Sequence, residues 1–262
     1  MEPIASFIHQ SNVVVDLATE YGPEVAEAIR QTVQQSVRSQ ANFAKAVEYA
    51  AEEVRRDQQD APQESVDDDW FNAWRASAST VSAEAMQRLW GRLLAGEIKA
   101  PGTFSLRCLE FIKLLSPAEA LQINEVAPYV IENFIWRDES SGIPFPVLLA
   151  VQDLGLIVGV DGIGGLTLTY CSSASERFVK ALRSNGKVVI VTNDDGAKKL
   201  EVSAIMLTAL GRQVFRFASM RANVQYLTDF GKHLKKGGFD VSLADFEQVD
   251  ANTAKTFNAV VL

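Results

Sequence analysis

Cysteine and histidine are nearly absent from this chain, with two of each in 262 residues. Cys108 and Cys171 are too few for a disulfide framework and read as reduced thiols, Cys108 inside an apolar helical run. His9 and His233 each stand alone, without a second histidine or a cysteine at ligand spacing, so neither points to a metal or a general base. No stretch approaches the ~20 uninterrupted apolar residues of a membrane span. The opening MEPIASFIHQSNVVVDLATEYG lacks the basic segment of a secretory signal, so a cytoplasmic protein is expected. Positive charge is also short: 25 basic against 33 acidic residues give a formal charge of −8. Such a chain is repelled by phosphate backbones, and nucleic-acid binding would need a local basic patch.

Catalytic signatures are missing too. The glycines Gly159, Gly162, Gly164 and Gly165 lack the lysine and hydroxyl residue of a phosphate loop, and they fall between two strand-like runs. No serine sits in a nucleophile elbow. No catalytic residue, cofactor site or metal site is assigned, and the chain reads as non-enzymatic. A hydrophobic share of 47% with 22% charged residues is ordinary globular composition, enough for one large or two small domains.

The sharpest writing lies between Asp67 and Ala127. Met86, Leu89, Trp90, Leu93, Leu94 and Ile98 recur at the steps that gather apolar groups on one helix face. Ala100-Pro101-Gly102 stops that helix, and a second follows with Leu106, Leu109, Ile112 and Leu115, capped by Thr103 or Ser105. A third begins at Ser116, with Pro117 at its first position and Glu119 closing a capping box. Ahead of them, Asp67-Asp68-Asp69 caps the helix that carries Trp70, Phe71 and Trp74. A consecutive acidic run spreads its side chains around a helix, which argues against a metal site. Glu97 falls at the edge of the apolar stripe, where an unpaired charge is costly. Arg107 or Arg92 is the expected partner, in an ion pair that fixes the helical hairpin.

The chain divides into a helical arm, 1–57, a helical bundle, 67–140, and an α/β part, 141–262. In the arm, Gly22-Pro23 separates a short helix from a long one of roughly 35 residues, ~50 Å at the helical rise. A helix of that length either packs on another chain or lies across its own domain, and a homo-oligomer through the arm is the expectation taken forward. Arg55 to Ser65 reads as a linker. Val147 to Leu154 reads as a short helix, and Leu156–Val160 with Leu166–Tyr170 as a β-hairpin around Asp161–Gly165. Helix then hairpin is the order of a winged helix, although the helix PFPVLLAVQDLG has no lysine or arginine to read DNA. Residues 174 to 184 are expected to form a helix with a modest basic face of Arg177, Lys180 and Arg183. Lys187–Thr192 and Leu200–Met206 are expected to pair across an Asn193–Gly196 turn, and Thr208 to cap a helix. The fold class is thus α+β: a helical arm and bundle followed by a winged-helix-like α/β part.

The run Gln87-Arg88-Leu89-Trp90-Gly91-Arg92-Leu93-Leu94-Ala95-Gly96-Glu97-Ile98, then Pro101-Gly102-Thr103-Phe104-Ser105-Leu106-Arg107 and Leu115-Ser116, resembles the bacterial domain of unknown function 2806. A looser likeness extends to the Abi-alpha abortive-infection family, through Leu154-Gly155-Leu156-Ile157 and Leu207-Thr208-Ala209-Leu210-Gly211. The resemblance implies a bacterial sensor, scaffold or accessory subunit in anti-phage defence, with a protein partner from the same operon and no catalytic residues to carry over. Trp70, Trp74, Trp90, Arg92, Glu97, Arg107, Ser116 and Glu119 are its candidate structural and interaction residues. A nucleic-acid-binding regulator using the wing and the bases of 177–183 and 212–221 is the alternative, and an enzyme with an unrecognised site the third reading.

Overall fold

The computed structural model describes residues 19, 21–56, 64–137, 142–160, 166–172, 176–218, 221–248 and 254–262. His9, the short first helix, most of the expected linker and the 161–165 turn lie outside them. The chain forms two compact units, Met1–Leu109 and Glu110–Leu262.

In the first unit, α1 spans Pro23–Arg56, α2 Asp68–Ala78, α3 Glu84–Lys99, and α4 begins at Leu106 and runs to Leu114. Asp67 accepts from Trp70 N at 2.9 Å and Ser105 Oγ from Cys108 N at 3.2 Å, so the acidic run and Ser105 cap α2 and α4 as their sequence implies. Helices α1 and α3 run parallel. Asn42 stands beside Gln87, Ala46 and Ala50 beside Gly91, and Glu53 beside Lys99. Gly91 permits this approach: a Cβ there would lie 2.6 Å from Tyr49 Cβ and 3.0 Å from Ala46 O. Ala46, Ala50 and Ala95 bring only small side chains to the seam, and all three are buried. Trp74 donates its indole N–H to Trp90 O at 2.9 Å, with the rings of Phe71 and Phe43 centred 5.6 and 5.9 Å away. Trp70, Trp74 and Trp90 are all buried.

The second unit opens with α5, Pro117–Val126, whose capping box is formed: Ser116 accepts from Glu119 N at 3.3 Å, and Glu119 from Ser116 N at 2.7 Å. The remaining elements are β1 (Val130–Ile131), β2 (Phe134–Trp136), α6 (Phe145–Asp153), β3 (Ile157–Val158), β4 (Leu166–Tyr170), β5 (Phe178–Ser184), β6 (Lys187–Asn193), β7 (Leu200–Leu207), α7 (Ala209–Phe217), α8 (Val224–Lys236), β8 (Asp240–Gln248) and β9 (Ala254–Val261). They build two antiparallel sheets, so the α+β class holds. In one sheet β7 is central. Its residues Ala204 and Met206 pair with Trp136 and Phe134 of β2 on one edge, and with Leu166 of β4 and Val158 of β3 on the other. The other sheet has the order β5-β6-β8-β9. Helix α8 covers it, with Tyr226, Leu227, Phe230 and Leu234 buried in a core shared with Leu182, Val189, Val191, Val241 and Leu243. Thr208 caps α7 by accepting from Gly211 N at 2.9 Å, and Gly237 closes α8.

Three expectations are corrected. The hairpin over 156–170 does not form: among the described residues β3 and β4 do not pair with each other, and both lie in succession along one edge of β7. The helix, strand, strand order of a wing is therefore present without the wing's own hairpin. Strands β6 and β7 are not partners either, because both edges of β6 are taken by β5 and β8. The helix expected over 174–184 is strand β5, in register with β6 from Phe178↔Asn193 to Ser184↔Lys187. Two apolar runs flank Asn185-Gly186, whose φ values are 27° and 84°. That dipeptide is the strong sequence signal of a two-residue hairpin, and nonlocal pairing outweighed the three-residue spacing of the basic residues.

Candidate functional site

Helix α1 is 34 residues long, and α3, which it packs against, is 16. Since Asn42 is level with Gln87 and α3 starts at Glu84, the portion of α1 before about Ser39 runs past the end of α3. Burial follows that geometry. Between Ala26 and Asn42 no residue of α1 is buried, whereas Asn42, Ala46, Tyr49 and Ala50 are. The overhang still carries apolar groups: Val25 is 44% exposed and Ile29 38%, far above core values. With Ala28 and Val33 they border a shallow concavity of about 400 Å³.

At the root of the overhang a polar network ties α1 to the turn between α2 and α3. Gln87 Nε2 donates to Asn42 Oδ1 at 3.2 Å and to Val81 O at 3.0 Å. Asn42 Nδ2 donates to Ser79 O at 3.0 Å, and Arg38 reaches Ser82 Oγ with Nη2 at 2.9 Å and Nε at 3.2 Å. Asn42 and Gln87 are both buried, and their amides are satisfied by each other and by the turn, as buried polar groups must be. Beside this network lies a polar notch of about 600 Å³ lined by Gln31, Gln34, Gln35, Arg38, Asn42 and Thr80. Helix α3 starts next to it with Ala83 at the N-cap and no side-chain cap, leaving its first amides to solvent. Glu84 in that first turn is held below the usual carboxylate range by the hydrogen bond from Arg88, which also lies 4.3 Å over the Tyr49 ring. The amide partners of Asn42 are 37 and 45 positions away in the chain, and no local pattern joins them.

The candidate residues fall into separate places. Trp70, Trp74 and Trp90 form the core of the first unit. Glu97, 1% exposed, caps the turn between α3 and α4: one oxygen accepts from Gly102 N at 2.5 Å and the other from Phe104 N at 2.9 Å. Backbone amides thus take the role expected of Arg107 or Arg92, because they lie within reach of the short turn that follows the helix. Arg107 is exposed and Arg92 half-buried. Ser116 and Glu119 cap α5, away from the notch in sequence and in the other unit.

In the second unit, the basic residues of 177–183 are engaged locally. Arg177 lies 3.8 Å from Asp194, the Lys180 ammonium 4.8 Å over the Tyr170 ring, and Arg183 5.2 Å over the Phe246 ring. They sit on or beside a strand, and α6 carries no basic residue. Lys187, Asp245 and Asn258 link β6, β8 and β9: Lys187 and Asn258 both donate to Asp245, at 2.5 and 2.9 Å, and hold its carboxyl below the ordinary range. Among the described residues no group of three or more His, Cys, Asp and Glu side chains could hold a metal ion. No helix there is long and apolar enough to cross a membrane.

The chain's tryptophan helix and the turn after it lie inside the segment that a family model matches. Residues 27–134 match the model of a family described as protein of unknown function, DUF2806. Over that segment the chain is similar to the DUF2806 family. The segment comprises the overhang from Glu27 onward, the polar network, the tryptophan core and the Glu97 turn, so it takes in nearly the whole of the candidate surface. No curated protein and no solved structure matches the chain.

Proposed function

We propose that this protein is a non-enzymatic assembly protein whose docking surface is the overhang of α1. One observation carries the reading: a helix packed continuously only from Asn42 onward keeps Val25 and Ile29 in solvent over its first half. A helix of that length gains most of its stability from packing, and a second chain supplies the packing that the overhang lacks. The small side chains at Ala28 and Ser39 allow close approach of another helix. Homo-oligomerisation is the simplest form of this assembly, with a protein encoded in the same operon as a further partner.

The setting follows from the likeness of Leu154-Gly155-Leu156-Ile157 and Leu207-Thr208-Ala209-Leu210-Gly211 to Abi-alpha motifs, which supports a sensor, scaffold or accessory role in anti-phage defence in the cytoplasm. Light scattering on a size-exclusion column tests the assembly. The expected mass is a multiple of 28.7 kDa for the full chain, falling to 28.7 kDa for Val25→Asp/Ile29→Asp. A wild-type monomer at micromolar concentration would overturn the reading. For the setting, plating of phage on cells with and without the operon is the test, and equal plaque numbers across a broad phage panel would remove it.

A further inference from the structure

The polar notch and the N-terminal end of α1 are complementary in charge, and the complementarity bears on how two copies meet. Glu24, Ala28, Gln31, Gln35, Arg38 and Asn42 recur at alternating four- and three-residue steps. Asn42, Ala46 and Tyr49, which meet α3, follow on the same helix face after a second four-residue step, so the overhang extends the α1–α3 seam beyond the point where α3 ends. Near one end of the overhanging seam stands Arg38, which among the described residues donates only to Ser82 Oγ and faces no carboxylate. At the other end stands Glu24, exposed, with no hydrogen bond or ion pair among the described residues. Beside Arg38 are the uncapped amides of the α3 N-terminus, the positive end of that helix.

Resting on the assembly reading above, we propose that the occupant of the notch is the overhang of a second copy, running antiparallel, with Glu24 of each copy against Arg38 of the other. The spacing closes by symmetry. An antiparallel pair centred on Gln31 sets Glu24 level with Arg38, Ala28 with Gln34, and Gln31 with its own counterpart. The two-fold operation then satisfies both charged ends at once, as an isologous interface requires. The carboxylate gains the guanidinium and the helix end together, the glutamines between them hydrogen-bond across the seam, and Val25, next to Glu24, packs along its flank while Ile29 turns away from it. A parallel pair would set Arg38 against Arg38 and leave both notches without an acid.

Charge exchange on the full-length protein tests the register by light scattering and sedimentation. Glu24→Arg and Arg38→Glu each place like charges opposite one another, and each raises the dimer dissociation constant by about tenfold or more at low salt. Mixing the two single variants restores the wild-type dissociation constant, because the substituted side chains then face each other as opposite charges at one end and the native Glu24 and Arg38 do so at the other. The double variant restores it as a homodimer. Glu24 makes no hydrogen bond or ion pair among the described residues, so Glu24→Arg carries the test by itself should Arg38→Glu alter the fold by circular dichroism; its defect must shrink at high salt. A wild-type dimer unaffected by either change, or single variants that do not rescue each other on mixing, overturns the antiparallel register and leaves assembly standing. A monomeric wild type overturns both.

Discussion

At the scale of the residue, the buried carboxylate of Glu97 holds the turn that an ion pair was expected to hold. A glutamate near the helix end can reach amides five and seven residues ahead, and the Phe104 N–H, which is buried, would otherwise lack a partner. Glu97→Ala should cost about 3 kcal/mol in urea denaturation, Glu97→Gln less, since the amide oxygen still accepts. A loss below about 1 kcal/mol for the alanine variant would show that water replaces the carboxylate. Gly91→Leu should cost at least about 2 kcal/mol, because no side chain fits where a Cβ already meets Tyr49 at 2.6 Å. Cys108 gives a titration test. Burial pushes its thiol up to about 12 from an ordinary 9.0. The folded state keeps the proton that the unfolded state releases, so this contribution is complete below pH 9 and fades as pH rises toward 12. At about pH 8, below the thiol's ordinary value, a thiol reagent should label exposed Cys171 and spare Cys108 until denaturant is added; rapid labelling of both would contradict its burial.

At the scale of the element, caps and turns were legible because each is written in a few adjacent residues. Ser116, Pro117 and Glu119 spell a helix start that the structure reproduces. Ser116→Ala should cost about 1 kcal/mol by thermal melting, with no change in assembly. Strands were read less well. The β5 segment alternates only weakly in burial, with Leu182 and Ser184 in and Arg183 out, and its basic residues mimic a helix face. Asn185-Gly186 was the better signal, since a two-residue turn fixes register locally while a three-residue spacing fits either element. The partners of β3, β4 and β7, and the pairing of β6 with β8, were beyond reach, because each joins segments whose separation no local pattern encodes.

At the scale of the molecule, the proposed function rests on what the first unit leaves uncovered. A formal charge of −8 keeps copies apart at distance, so association through α1 should strengthen as salt screens that repulsion, until the Glu24–Arg38 contacts are themselves weakened. Sedimentation across a salt series should therefore show a maximum in dimer stability, and a monotonic fall would assign the association to ion pairs alone. Absorbance at the nucleic-acid and protein maxima on the same chromatographic peak should show no polynucleotide; bound nucleic acid would send the search to the second unit.

By itself the sequence determined the helical periods, the stops and caps, the long arm, the tryptophan core and the absence of catalytic motifs among its residues, because those depend on neighbours a few positions apart. Only the tertiary structure decided that Asn42 meets Gln87, that α3 ends short of α1, and that a notch remains at the step between them, with Arg38 facing no acid among the described residues. The physical reason is chain closure. Which helix ends first against another depends on how α2 and the turn from Ser79 to Ser82 carry the chain back. That packing is settled by contacts between residues far apart in the chain, Asn42 with Ser79 and with Gln87.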